Sequence, residues 1–402
     1  MERLSPDERR LIEHIDGAAM LAQVERWVAV NSGTRNLAGL ATMAGLLADA
    51  FAVLPGDIEL VEPAPVEAVE PDGRIRAIDH GRHLLLRVRR QARCRMLFTG
   101  HMDTVYGADH PFQTARFSEP GVLNGPGAAD MKGGIAVMLA ALAAVEASGI
   151  ASDFGYDVVL NADEETGSFA SAALIEAQAA GKVAAFTYEP ALPDGTLAGA
   201  RGGTGNFSLT VAGRSAHAGR NPEEGRNAIV AAADLALRLA GERRPGLAVN
   251  PARIDGGGPN NVVPDHAVLR VNFRPRGADD IARAQAAIDG AVAAVAAAHD
   301  VSVHTHGSFN RPPKPIDAQA ARLFALVQAA GADMGVPIGW RDTGGVCDGN
   351  NIAAQGVAVI DTMGVRGGAI HSAEEYMIVD SLAERAALSA VAIARIARKG
   401  GL

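Results

Sequence analysis

Apolar residues repeat at helical spacing over residues 18–30 and 37–54, after a helix start at Ser5-Pro6-Asp7-Glu8 with Pro in the first turn and Glu three after Ser. The period then shortens. Residues 84–88 and 96–99 read as strands, the second running into Gly100-His101, and 157–161 reads as a short buried strand. Between them lies an Ala- and Leu-rich helix over 133–147. Strand, loop and helix in alternation predict an α/β unit whose site lies at the carboxyl ends of the strands.

After Gly205 the pattern changes. Residues 207–211 alternate like a half-exposed strand, 227–239 form an amphipathic helix, 267–273 a strand, 279–298 a helix and 301–305 a strand. A β-α-β-β-α-β order is the ferredoxin-like split unit, read here as an insertion. Arg311-Pro312-Pro313-Lys314-Pro315 reads as its exit linker. Helix and strand then alternate again from Asp317 to a final helix over 381–397. The expectation is a two-domain α/β chain. Residues 1–205 and 314–402 form a discontinuous domain with a mixed sheet flanked by helices, and 206–313 form a smaller α+β domain.

Bulk properties exclude some functions. A chain of 402 residues exceeds the usual single core, which agrees with two domains. The net charge of −9 argues against nucleic acid as a partner, which would call for a basic stripe. One basic run exists, Arg87, Arg89, Arg90, Arg93 and Arg95, and its alternation with Leu86, Val88 and Met96 reads as the solvated face of a strand pair. The N-terminus lacks the apolar core of a signal peptide. The best apolar run, residues 135–145, is about half of the ~20 residues that a membrane-crossing helix needs, so no membrane span is expected. Cys94 and Cys347 are the only cysteines and form no CxxC pair, which excludes thiolate zinc binding and fits a reducing cytoplasm.

Five short motifs set a His or carboxylate beside Gly, Pro or a turn: Gly100-His101-Met102-Asp103-Thr104, Ala129-Asp130-Met131-Lys132-Gly133-Gly134, Asp163-Glu164-Glu165-Thr166-Gly167, Tyr188-Glu189-Pro190 and His371-Ser372-Ala373-Glu374-Glu375. None lies in the insertion. Nitrogen and oxygen donors of this kind suit zinc, cobalt or manganese rather than calcium or an iron–sulfur cluster. Residues two apart on an extended chain point the same way, so Asp103 can accept the second ring N–H of His101. Asp130, among glycines at a helix start, can bridge two ions or simply cap the helix. Glu164 and Glu165 diverge at a strand end, so one can ligate while the other handles a proton.

In this combination and order the motifs resemble the M20 metallopeptidases, a family that includes glutamate carboxypeptidase, acetylornithine deacetylase, succinyl-diaminopimelate desuccinylase and aminoacylase-1. Residues 100–105, 161–168 and Gly213-Arg214-Ser215-Ala216-His217-Ala218-Gly219 look nearest to the glutamate carboxypeptidase branch. The resemblance implies two divalent metals, zinc first, with cobalt or manganese as alternatives. His101 and Glu189 would hold one, Glu165 and His371 the other, with Asp130 bridging and a cis peptide often following it. Glu164 matches the general base and Asp103 the partner of the first His. His217 matches a histidine that enters the neighbouring subunit's site and supports the oxyanion, which implies a homodimer through the smaller (dimerisation or lid) domain.

Asn261 and Arg274 match substrate-binding positions, the Arg fork suiting a free α-carboxylate. Gly345 lies in a Gly-rich loop that matches a lining of the substrate pocket. Asn272 stands where many members carry an acidic residue, and Cys347 where many carry Ser or Thr. Glu189 in place of Asp leans toward the acylase and carboxypeptidase members. The expected activity is a cytoplasmic amidohydrolase acting on an N-acyl amino acid or the C-terminal residue of a short peptide or conjugate. Dipeptidase, aminopeptidase or N-carbamoyl hydrolase activity stands as an alternative within the family, and a non-catalytic dimeric binding protein as one outside it.

Overall fold

In the computed structural model, residues 4–150 and 154–402 are described. A six-stranded sheet runs in the order Asp57–Val61, His83–Val88, Phe154–Asn161, Cys94–His101, Ala184–Thr187 and Val359–Ile360. The last four are mutually parallel and the first two pairings antiparallel, so the sheet is mixed. Both faces are apolar, as expected of strands covered by helices on two sides. Leu84, Leu86, Phe98 and Val158 face the main core, which the helices Gly133–Ala147 and Ser381–Lys399 close. Their neighbours Leu85, Leu97 and Val159 face a second core with Ile175 and Ile352, from the helices Ala172–Ala179 and Asp348–Ala354. Period-two alternation thus splits one set of strands between two helical layers.

Two described helices are long and apolar enough to cross a membrane, Ala128–Ala147 and Ala278–His299. The first is buried in the main core. The second lays Ala284, Ile288, Ala291 and Val295 on a separate sheet.

That separate sheet belongs to a second domain with its own core. Its strands are Thr204–Ala212, Leu247–Gly256, His266–Pro275 and Ser302–Arg311, and its helices Ala228–Ala240 and Ala278–His299. The sheet order, second–third–first–fourth and antiparallel throughout, is the ferredoxin-like arrangement. A hairpin of the larger domain, Val66–Val69 with Ile75–Ile78, reaches this sheet. There Arg270 Nη2 donates to the Val69 carbonyl at 2.8 Å, while His266 and His306 lie 3.2 Å from the carbonyls of Pro71 and Glu67.

Two local expectations change. The strands at 84–88 and 96–99 are not a pair, because Phe154–Asn161 lies between them. The basic run is correspondingly no bare solvated face: Arg87 pairs with Glu59, Arg89 with Glu146 and Arg95 with Asp157. The exit stretch 311–315, in turn, is only partly solvated. Arg311 and Lys314 are buried, at 5% and 1% exposure, because each finds carboxylates inside the larger domain.

Candidate metal centre

Parallel strands deliver the first ligand candidates to one rim. His101 ends the strand Cys94–His101, Glu164 and Glu165 follow Phe154–Asn161, and Glu189 follows Ala184–Thr187. His101 Nδ1 donates to the Asp103 backbone carbonyl at 3.0 Å, and the Asp103 carboxylate is farther, at 3.4 Å. That carboxylate has other work. It accepts from Thr34 Oγ1 at 2.6 Å and from the backbone N–H groups of Glu164 and Glu165, each at 3.2 Å. Asp103 therefore ties the loop of the two glutamates to the loop of the histidine.

Asp130 sits in a tight loop between Gly127, at φ +74°, and the helix Gly133–Ala147. A Cβ on Gly134 would come within 1.9 Å of the Tyr188 carbonyl, so only glycine lets this helix approach the segment that carries Glu189. The Asp130–Met131 peptide is cis. Asp130 does not cap the helix; Lys132 occupies that position, and no side chain caps it. Instead the Asp130 carboxylate stands between two histidines. Oδ1 lies 3.1 Å from His101 Nε2 and Oδ2 lies 3.2 Å from His371 Nε2. His371 Nε2 is also 3.2 Å from Glu165 Oε2, and His101 Nε2 is 3.8 Å from Glu189 Oε1. Ligand atoms of His101, Asp130 and Glu165 lie within 4.8 Å of one another, as do those of His101, Glu164 and Glu189.

The electrostatics call for a cation. Burial, opposed by Arg311 and reinforced by Glu189, pushes the Glu164 carboxyl up to about 7. Burial and the neighbouring Asp130 push Glu165 up to about 8, and Glu189 also rises. Burial alone would lower His101, but Asp103, Asp130 and Glu189 outweigh it and raise it well above the usual range. Hydrogen bonds to Asp130 and Glu165 hold His371 at about 11. Four carboxylates crowd two imidazoles, and Glu165 Oε1 is buried without a hydrogen-bond partner among the described residues. Divalent cations would supply the missing positive charge, and the donor set fits them.

Behind the ligand candidates stand residues that spacing did not single out. Glu375 is buried, and its Oε1 accepts from both the Ala129 and Asp130 N–H groups at 3.0 Å, while its Oε2 accepts from Tyr106 at 2.7 Å. Burial and the nearby Asp130 push its carboxyl up to about 7. Arg311 Nη2 lies 2.7 Å from Glu164 Oε1, an ion pair without the angle of a directed hydrogen bond. The same nitrogen donates to the Glu164 carbonyl at 3.1 Å and to Ser168 Oγ at 2.8 Å, and it lies 3.4 Å from Asp348. On the other side, Arg201 and Lys314 both contact Asp361, at 2.7 and 3.2 Å.

Residues 97–395 match the model of peptidase family M20/M25/M40, well over half of the chain. The chain belongs to the M20 peptidase family. Among curated relatives, the carboxypeptidase G2 of Pseudomonas sp. (strain RS-16) is 31% identical over 308 residues, 73% of this chain and 72% of that protein. Among solved structures, a tripeptidase from Staphylococcus aureus superposes with a TM-score of 0.74 at 21% identity, covering 96% of this chain and 99% of that one. A Bacillus subtilis protein described as a dinuclear metal-binding M20 peptidase gives 0.63 at 14% identity, covering 95% and 98%. Likeness at these identities carries the two-domain M20 fold alone. M20 peptidases are metal-dependent hydrolases, and this chain is one of them.

The other residues that the M20 resemblance singles out lie in two places. Gly345 lines the metal cleft, in the loop after the strand Trp340–Thr343, and its carbonyl accepts from Arg201 Nη1 at 3.1 Å. Cys347 is buried in the same loop, with its thiol pushed well up by burial. Arg274 lies on the smaller domain facing the inter-domain cleft, and its Nε donates to Asn272 Oδ1 at 2.9 Å. The amide oxygen of Asn272 thus orients the Arg, as a carboxylate would. His217 and Asn261 are not brought to the metal cluster of their own chain. Both are exposed on the smaller domain, neighbours through the Ala218 N–H, which donates to the Asn261 carbonyl at 2.9 Å.

Proposed function

We propose that this M20 hydrolase cleaves the amide of an N-acyl amino acid, or of the C-terminal residue of a short peptide or conjugate, using two divalent ions, zinc first. The observation that carries the reading is the Asp130 carboxylate, one oxygen toward His101 and the other toward His371 at nearly equal distance. His101 and Glu189 would hold one ion, Glu165 and His371 the other, with Asp130 shared. Bound there, the ions supply Lewis acidity toward the scissile carbonyl and ease deprotonation of water. Glu164, beside the cluster but paired with Arg311, takes the proton from the attacking water and returns it to the amine nitrogen as the C–N bond breaks. Arg311 opposes the rise that burial imposes on Glu164, which keeps the base available near neutral pH. Arg274 faces the inter-domain cleft with its two terminal nitrogens, unpartnered among the described residues, open to an α-carboxylate.

His217 and Asn261 are exposed, so they serve a site only if a second copy supplies it; we assign them to oxyanion and substrate contacts across a homodimer in the cytoplasm. The resemblance to carboxypeptidase G2 and the use of Glu at position 189 support an acylated rather than a free amino terminus on the substrate. The test is amino-acid release from N-acyl amino acids, unblocked dipeptides and an N-carbamoyl amino acid by wild type and Glu164→Gln. Turnover of the acyl substrates should fall by orders of magnitude in Glu164→Gln with metal content kept. Turnover confined to unblocked dipeptides would reject the acylase reading, and undiminished turnover would remove Glu164 from its role.

A further inference from the structure

The metal cleft, of about 700 Å³, shares Arg201, Asp342, Thr343 and Gly344 with a neighbouring groove of about 1010 Å³ between the two domains. Five of the residues lining this groove are arginines (Arg201, Arg243, Arg244, Arg274 and Arg276) against one carboxylate, Asp342. That concentration runs against a chain whose net charge is −9.

Among the described residues, three of the five arginines make no ion pair: Arg243, Arg274 and Arg276. Arg201 is held by Asp361, and Asp342 already accepts from the Ala200 N–H at 2.9 Å. Arg274 commits its Nε to Asn272 and keeps its two terminal nitrogens. Arg244 meets Glu242 through Nη1 at 3.2 Å, but its Nε and Nη2 are buried without a hydrogen-bond partner among the described residues. Arg243 and Arg276 are exposed, and among the described residues neither makes an ion pair. Unpaired guanidinium groups converging on one concave space repel one another unless an anion enters, and planar donor forks match carboxylates. Arg274, assigned to the α-carboxylate, lies in this groove, which puts the groove on the side of the departing amine.

We propose that the groove binds an oligoanionic amine component, which extends the N-acyl reading above from a single amino acid to an acidic dipeptide or similar polycarboxylate, released intact in place of a C-terminal residue. The inference rests on the amidohydrolase reading. Water adds across the amide: its oxygen joins the acyl carbon, the C–N bond breaks, and the nitrogen takes a proton and leaves with its carboxylates between the arginines.

The experiment compares N-benzoyl-Glu-Glu with N-benzoyl-Gln-Gln, a pair alike in shape that differs by two carboxylates, for wild type and Arg243→Ala/Arg276→Ala. Wild type should favour the acidic substrate and release Glu-Glu intact by mass spectrometry. In the double variant the ratio of the two kcat/KM values should fall about tenfold, the scale of two exposed charge contacts. Equal change for both substrates, no change, or release of the terminal residue alone would overturn the proposal.

A second readout does not need turnover. Calorimetric titration with tricarballylate should give a Kd about tenfold weaker in the double variant. If neither substrate is cleaved but that difference holds, the amidohydrolase reading fails and the anion groove stands. Equal affinities would reject the groove.

Discussion

Glu375 is the sharpest test of how the site is held. Its Oε1 accepts from two adjacent backbone N–H groups, Ala129 and Asp130, and the residue is 1% exposed. Glu375→Ala leaves both donors buried without a partner, at roughly 1–3 kcal/mol each. Tyr106 keeps the Ser372 carbonyl at 2.7 Å, so the loss falls on the two amides alone. Summed, stability drops by roughly 2–6 kcal/mol, nearer the lower end if water fills the space. Asp130 loses the clamp on its own backbone, and residues that orient metal ligands typically change affinity about 10–100-fold. Glu375→Gln should recover most of this, because its amide oxygen can accept both N–H groups while its NH₂ donates to the Tyr106 hydroxyl. The assay is competition with a chromophoric chelator, with thermal unfolding alongside. Wild-type metal affinity in Glu375→Ala would refute the clamp. Equal loss in both variants would show that charge, not hydrogen bonding, is what Glu375 supplies.

Arg311→Met should destabilise the protein by roughly 3–5 kcal/mol in chemical denaturation, because the Glu164 and Asp348 carboxylates stay buried without their cation, and adding Asp348→Asn should recover part of it. Asp103→Asn turns an amide NH₂ toward backbone donors, so metal affinity should fall about tenfold or more while Asp103→Glu fails to restore the paired N–H contacts; unchanged affinity in Asp103→Asn would count against its role as the tie between loops. In metal-stripped protein, Glu165 at about 8, Glu375 at about 7 and Asp348 at about 6 all lie above the ordinary carboxylate range. Raised carboxyls favour folding while protonated and lose that contribution as pH rises through 6 to 8, so the stripped protein should be less stable at pH 8 than at pH 5 by roughly 2–4 kcal/mol, and added zinc should remove the difference. Rising stability over that range without metal would reverse the sign and refute the assignment.

The sequence carried the rim of the site because His101, Glu164, Glu165 and Glu189 end or follow strands, and all the ligand candidates sit beside Gly, Pro or a turn. His101 after an apolar run, Asp130 between glycines and Glu164-Glu165 before Thr-Gly are local patterns, and the chain order of the motifs made them one constellation. The ferredoxin-like order was likewise legible from period changes, although the strand Leu247–Gly256 was not, since Asn250, Pro251 and Arg253 break its alternation. The neighbours of strands were not legible either. Nothing local to the basic run shows that Phe154–Asn161 inserts between the two strands it flanks.

What spacing hides is the fate of a charge. Arg311 stands in a stretch of prolines, which reads as linker, and Lys314 beside it reads the same way. Yet as the chain returns from the smaller domain both side chains turn inward, enter the larger domain and meet Glu164, Asp348 and Asp361. Glu374 and Glu375 are identical in composition and adjacent, but the turn begun by Ser372, whose carbonyl accepts the Glu375 N–H, leaves the first exposed and folds the second under the Asp130 loop. The Arg311–Glu164 and Glu375–Asp130 contacts each span more than a hundred residues and each involves a backbone group whose need for a partner no side-chain pattern displays. A carboxylate or guanidinium is fixed in function by what it must neutralise once buried, which only the folded chain decides. That is also why the five arginines of the inter-domain groove, scattered from position 201 to position 276, become one feature only when two domains face each other.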